Sequence, residues 1–139
     1  MADLSPTDPR GLATGGLPNP ITVGQGRTAV QLTLAAQGRD LILTVTGGAA
    51  HVGAVAVVSV AGGTAGEPHC SVTVVPGHAE GPLAEEAAAR IAAATGRTCV
   101  AVAGIHQDRA TGAEITAIVA NVQQGLTRLE AVLGRGRTV

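Results

Sequence analysis

Phenylalanine, tyrosine, tryptophan and lysine are all absent from the 139 residues. Without Phe, Tyr or Trp the usual platforms for stacking a base are missing, which argues against single-strand and base-reading nucleic-acid binders. The nine basic residues are all arginines, and ten acids oppose them for a net charge of −1. So balanced a chain has no field to draw in nucleic acid or an anionic membrane. The lack of lysine also removes any Walker-type phosphate loop. Cysteine is scarce: Cys70 and Cys99 cannot build a disulfide framework of the secreted kind and are read as reduced, small buried hydrophobes. The longest apolar run, Ala49 to Gly63, is interrupted by His51 and Ser59 and is shorter than the ~20 residues of a membrane span. Met1 to Pro6 has neither a basic stretch nor an apolar segment, so no signal peptide is read there and the expected location is the cytoplasm.

What the chain does have is enough length for one domain with a real core, and abundant glycine. Residues 1–26 carry Pro6, Pro9, Pro18 and Pro20 without periodicity, and are expected to be a flexible extension. A single domain is expected over 27–134, with 135–139 as a solvated Gly-Arg tail. Val30, Leu32 and Leu34 alternate with Gln31 and Thr33, the period of a strand with one wet face. Leu41–Val45 follows as a second strand after a turn at Gly38–Asp40. Val52–Val60, apolar on both faces, reads as a third strand in the middle of a covered sheet. After a loop at Gly62, Gly63 and Gly66 comes a fourth strand, Cys70–Val75.

The period then changes. Pro82 suits the first turn of a helix, Leu83, Ala87, Ile91 and Ala94 share a stripe, and Gly96 is placed to end it. Cys99–Ala103 is a fifth strand. Thr111-Gly112-Ala113-Glu114 has capping-box spacing, and Ile115, Ile118, Val119, Val122, Leu126, Leu129 and Leu133 trace one face of a helix ~30 Å long. The expected fold is α+β, a largely antiparallel sheet of order β-β-β-β-α-β-α with two helices packed on it.

That order gathers chemistry at one edge. If the second, third and fourth strands form successive hairpins and a right-handed crossover makes the fifth parallel to the fourth, His51, His78 and His106 all fall on one edge. His69 falls on the other. Both helices also begin on the histidine edge, where their free N–H groups favour anions. Three histidines with Glu80 and Asp108 suit zinc or another first-row divalent metal, His51, His78 and His106 being the ligands. With Arg109 they suit a phosphate instead. Each histidine could also simply cap a strand end. Gly48, Gly53, Gly77 and Gly104 beside them would let a ligand approach the backbone closely. Ser59, Ser71 and Thr44 lack an elbow or base at recognisable spacing, which argues against a nucleophilic hydrolase.

Three stretches, Gly47–Val55, Val74–Glu80 and Ala103–Thr111 with Glu114-Ile115, together resemble the LpdD-like prenylated-flavin chaperones, the resemblance running over about residues 28–133. It implies a fold similar to that of proteasome-assembly chaperones and a non-catalytic carrier that holds prenylated FMN, or FMN more weakly. The partner it implies is a UbiD-type decarboxylase, with a flavin prenyltransferase as a further one. Carried over by position, it points to His51, Gly53, His78, Glu80, His106 and Asp108. A homodimer is expected, from the resemblance and from the thin alanine-rich first helix. With no aromatics, aliphatic side chains or a partner subunit must pack on the flavin ring. The competing reading is a metal-dependent hydrolase or lyase with Glu80 or Asp108 as base; a third is a scaffold whose histidine edge is purely structural.

Overall fold

A computed structural model describes residues 17–60 and 68–135. Most of the expected extension (1–16), the Gly62, Gly63 and Gly66 loop and the end of the tail (136–139) lie outside the described residues. The elements are β1 (Ile21–Val23), a 3₁₀ turn (Gly26–Thr28), β2 (Val30–Gln37), β3 (Asp40–Gly48), β4 (Ala54–Ser59), β5 (His69–Val74), α1 (Gly81–Thr95), β6 (Cys99–His106) and α2 (Gly112–Arg135). They form one α+β unit, a six-stranded sheet of order β1-β2-β3-β6-β4-β5 in which only the β3–β6 pairing is parallel.

Both helices cover the same face of the sheet. Alternate residues of the strands point into it: Val30, Leu32 and Leu34 from β2, Leu41, Leu43 and Val45 from β3, Ala54, Ala56 and Val58 from β4, Cys99, Ala101 and Ala103 from β6. Against them α1 sets Ala84, Ala87, Ala88, Ile91 and Ala92, and α2 sets Ile118, Val122, Leu126, Leu129 and Leu133. Alanine on α1 and β6 lets helix and sheet approach closely, and Gly125 does the same for α2, where a Cβ would stand 2.9 Å from Leu32 Cδ1. Gly96 ends α1 in the left-handed conformation (φ 69°), its N–H bonded to Ala92 O at 2.8 Å. The capping box forms as expected: Thr111 N–H donates to Glu114 Oε1 at 3.0 Å and Glu114 N–H to Thr111 Oγ1 at 3.1 Å.

Four expectations need correction. Residues 17–26 belong to the fold, because Ile21–Val23 pairs antiparallel with β2 and Val23 is buried; three residues between Pro20 and Gly24 are too few to show a period. β3 and β4 are not a hairpin, since β6 enters between them. β4 is consequently not the middle strand, and it is buried on one face only. Finally, Cys70 is exposed; only Cys99 is buried.

The inserted strand leaves the shared edge intact. β3 and β6 run parallel, β4 is antiparallel to both β5 and β6, so β3, β5 and β6 end where β4 begins. The segment joining β3 to β4 must cross the end of β6. It does so tethered on both sides, Ala49 N–H to His106 O and Gly53 N–H to Ala103 O, each at 2.9 Å. Gly104 makes the crossing feasible, because a Cβ there would lie 1.5 Å from His51 O.

Candidate functional site: a histidine cluster beside an apolar pocket

His51 rides on that crossing segment, and its Nδ1 lies 3.2 Å from Ala49 O. A carbonyl only accepts, so a hydrogen bond there takes its proton from Nδ1, and Nε2 is the ring atom turned to the neighbouring side chains. His78 comes from the turn after β5, where Val75 O accepts the N–H of His78 at 3.1 Å. Glu80 immediately precedes α1. It does not cap the helix with its side chain, which turns instead toward the two imidazoles. His51 Nε2 lies 3.0 Å from His78 Nδ1 and 3.2 Å from Glu80 Oε1, and His78 Nδ1 lies 3.8 Å from Glu80 Oε2. The Glu80 carboxylate is the most enclosed of the three, 12 % exposed, and its Oε2 has no hydrogen-bond partner among the described residues. The packing explains Gly53: a Cβ there would stand 2.2 Å from Glu80 Oε2.

His106 ends β6 on the same edge, its ring centre 6.2 Å from that of His51. It faces the other way chemically, with Nε2 2.9 Å from Asp108 Oδ1. The three histidines expected as a metal set are therefore regrouped. The atoms that converge belong to His51, His78 and Glu80, while His106 pairs with Asp108. His69 opens β5, in register with Ser59, at the opposite edge. Gly48, in register with His106 and at φ 58°, is held there because a Cβ would meet His106 O at 2.1 Å. Gly77 has φ 85°, with nothing within 4 Å of where a Cβ would stand, and lies in the turn before His78. Arg109 is exposed, in the left-handed region at φ 53°.

Beside the cluster is a pocket of about 400 Å³ that sequence reasoning did not locate. Its walls are Ala79, Glu80, Pro82, Leu83 and Glu86 from the start of α1, Ile105, His106, Gln107 and Ala110 from the end of β6 and the loop beyond, and Ile115, Ile118 and Val119 from α2. The signal was present but misassigned. Ile115 and Val119 continue the apolar stripe of α2, yet they line the pocket and are 54 % and 37 % exposed. Arg27 was also missed. From the 3₁₀ turn it donates from Nε to Glu114 Oε2 at 2.7 Å and from Nη2 to Asp108 O at 2.6 Å, fixing the loop between β6 and α2. These contacts hold the Glu114 carboxyl below its ordinary value: the Arg27 hydrogen bond contributes most and the Thr111 N–H next.

An LpdD-like prenylated flavin chaperone domain matches residues 24–134, spanning β2 to α2 and every residue of this edge. The chain belongs to the LpdD-like prenylated flavin chaperone family. No curated protein sequence matches it. Among solved structures it is similar to a chain from a chaperone complex for yeast 20S proteasome assembly, at 14 % identity and a TM-score of 0.51, covering 86 % of this chain and 98 % of that one. At that identity the likeness concerns the fold, and it agrees with the layout of one sheet and two helices. In this LpdD-like chain no described helix is long and apolar enough to cross a membrane.

Proposed function

We infer that the protein is a non-catalytic holder of prenylated FMN, with FMN a weaker ligand, and that it passes the cofactor to a UbiD-type decarboxylase in the cytoplasm. The observation that carries this is the pocket between the N-termini of α1 and α2, next to the histidine edge, in a chain of this family. Its volume falls within the range of small-molecule and cofactor sites. Leu83, Ile105, Ile115, Ile118 and Val119 supply the aliphatic surface that replaces an aromatic platform for the flavin ring. The phosphate then lies toward the helix N-termini and His106, where free N–H groups and an imidazole receive a dianion. A carrier needs capture and shielding, not a positioned base. Asp108, one of the two acids considered for that role, has a side chain 91 % exposed whose hydrogen bond among the described residues is to His106, which disfavours the hydrolase or lyase reading.

The protein acts as a homodimer in this reading. The sheet face away from the helices presents Ile42, Thr44, Val55, Val57, Val100 and Val102, all only half-buried, with no charged side chain among them. Covering such a face with a second copy removes apolar surface from water. A flavin prenyltransferase is the donor of the cofactor and the decarboxylase its acceptor.

Calorimetric titration with FMN tests the site. Loss of a charge-assisted hydrogen bond costs ~1.5–3 kcal/mol, so His106→Ala should weaken binding about ten- to a hundredfold. His69→Ala, at the far edge, should bind as the parent does. Equal weakening by both, or a parent protein that takes up no flavin, defeats the reading. The partner is tested by adding prenylated-flavin-loaded protein to an apo-decarboxylase and following decarboxylation against free cofactor.

A further inference from the structure

The arrangement of His51, His78 and Glu80 is chemically incomplete as it stands. His51 Nε2 faces His78 Nδ1 and Glu80 Oε1, while its Nδ1 lies within reach of Ala49 O. Glu80 offers only lone pairs, and its Oε2 is buried with nothing described to donate to it. The two facing ring nitrogens are 3.0 Å apart, close enough for one positive centre, a proton or a cation, to lie between them. Two imidazole nitrogens and a carboxylate gathered this closely favour positive charge between them.

We propose that His51 Nε2, His78 Nδ1 and the Glu80 carboxylate bind one first-row divalent cation of zinc type. The spacing is of the right order: ligands ~2.0–2.1 Å from a tetrahedral zinc lie about 3.3 Å from one another. Here His51 Nε2 lies 3.0 Å from His78 Nδ1 and 3.2 Å from Glu80 Oε1. The second carboxylate oxygen, Oε2, lies 3.8 Å from His78 Nδ1, and one donor atom from each residue falls within 4.8 Å of the others. Two imidazoles and a carboxylate are donors of the right hardness for zinc, cobalt or iron(II). The outer contact is also in place, since a ligating histidine typically donates its second N–H to a backbone carbonyl, and His51 Nδ1 lies within reach of Ala49 O. Three protein ligands leave a fourth position for water or an anionic oxygen. His106 is not a ligand, its Nε2 being engaged with Asp108. This site stands or falls independently of the flavin.

The test is titration of chelator-stripped protein with Co²⁺, followed by the visible ligand-field bands of tetrahedral cobalt and their displacement by Zn²⁺. One equivalent should saturate the signal. His78→Ala, which removes a half-exposed turn side chain outside the core, should weaken cobalt binding at least about tenfold. Glu80→Gln, nearly isosteric, should do the same, and far-ultraviolet circular dichroism confirms that each variant is folded. His69→Ala and His106→Ala should retain parental affinity. Absence of a saturable band, parental affinity in folded His78→Ala, or equal loss in His69→Ala overturns the site; a shared proton then accounts for the cluster. FMN titration of the stripped protein is scored separately, so that flavin binding without cobalt binding defeats the metal site alone.

Discussion

At the end of the sheet where α1 gives way to β6, polar groups close the fold. The buried Arg97 donates from Nη1 to Arg39 O at 2.6 Å, Asp40 Oδ1 accepts the N–H of Thr98 at 3.1 Å, and the Thr95 hydroxyl donates to Ile91 O at 2.7 Å. At the other end, Glu80 Oε2 is buried without a hydrogen-bond partner among the described residues, the β3–β4 segment crosses β6 by way of a glycine, and Ile115 and Val119 stay open to solvent. Each of these would be a fault in a protein selected for stability alone. Coinciding there with the pocket and the histidines, they mark where local consistency was given up for binding.

The comparison can be broken most forcefully from the core. Leu43, fully buried beneath the helices, should cost about 2–5 kcal/mol when changed to alanine, measured by urea unfolding. Flavin affinity of the molecules still folded should not change. If affinity fell in step with stability, the two ends would not be separable. Gly104→Ala acts at the site end and should do both kinds of damage. Its methyl cannot coexist with His51 O, so the crossing segment must move, at about 1–3 kcal/mol and with loss of flavin binding.

Smaller effects sharpen the picture. Because the Glu114 carboxyl is held below its ordinary value, its contribution to stability is present above the unfolded-state pKa and is lost as pH falls through the folded one. The melting temperature of Glu114→Gln should accordingly lie slightly below the parent's at neutral pH and converge with it in acid. A gap that widened in acid would reverse the sign and refute the assignment. Last, burial pushes the Cys99 thiol up to about 12, whereas Cys70 is exposed. A thiol-exchange reagent should therefore modify one cysteine in the native protein and two after denaturation.

Period and punctuation made most of this legible in advance. The alternation in β2 and β3, Gly96 and the Thr111–Glu114 box all form as read, since each rests on contacts within a few residues. The histidine edge was also foreseeable, although the hairpin assumed between β3 and β4 does not exist. Strand directions survive the insertion of β6, so the ends still coincide. What could not be read depends on contacts distant in the chain. Arg27 reaches Glu114 across 87 residues, and no local pattern announces it. The regrouping of Glu80 with His51 and His78, and the pocket that Ile115 and Val119 line, depend in the same way on final packing.

The position of β6 also orders events in time. Of the described strands it is the last to leave the ribosome, yet it lies in the middle of the sheet, between two that precede it. Until it arrives, β1–β3 and the β4–β5 hairpin have no shared hydrogen bonds, and the Ala49 and Gly53 amides lack their acceptors. Pairings of such long sequence separation form slowly, because loop closure must precede any gain from contact. Pulsed hydrogen exchange during refolding should find the Ala49 and Gly53 amides protected together with β6, and not with the β4–β5 hairpin. A nascent chain thus acquires its binding edge in one late step, and an incompletely synthesised copy has no half-built site with which to sequester a cofactor.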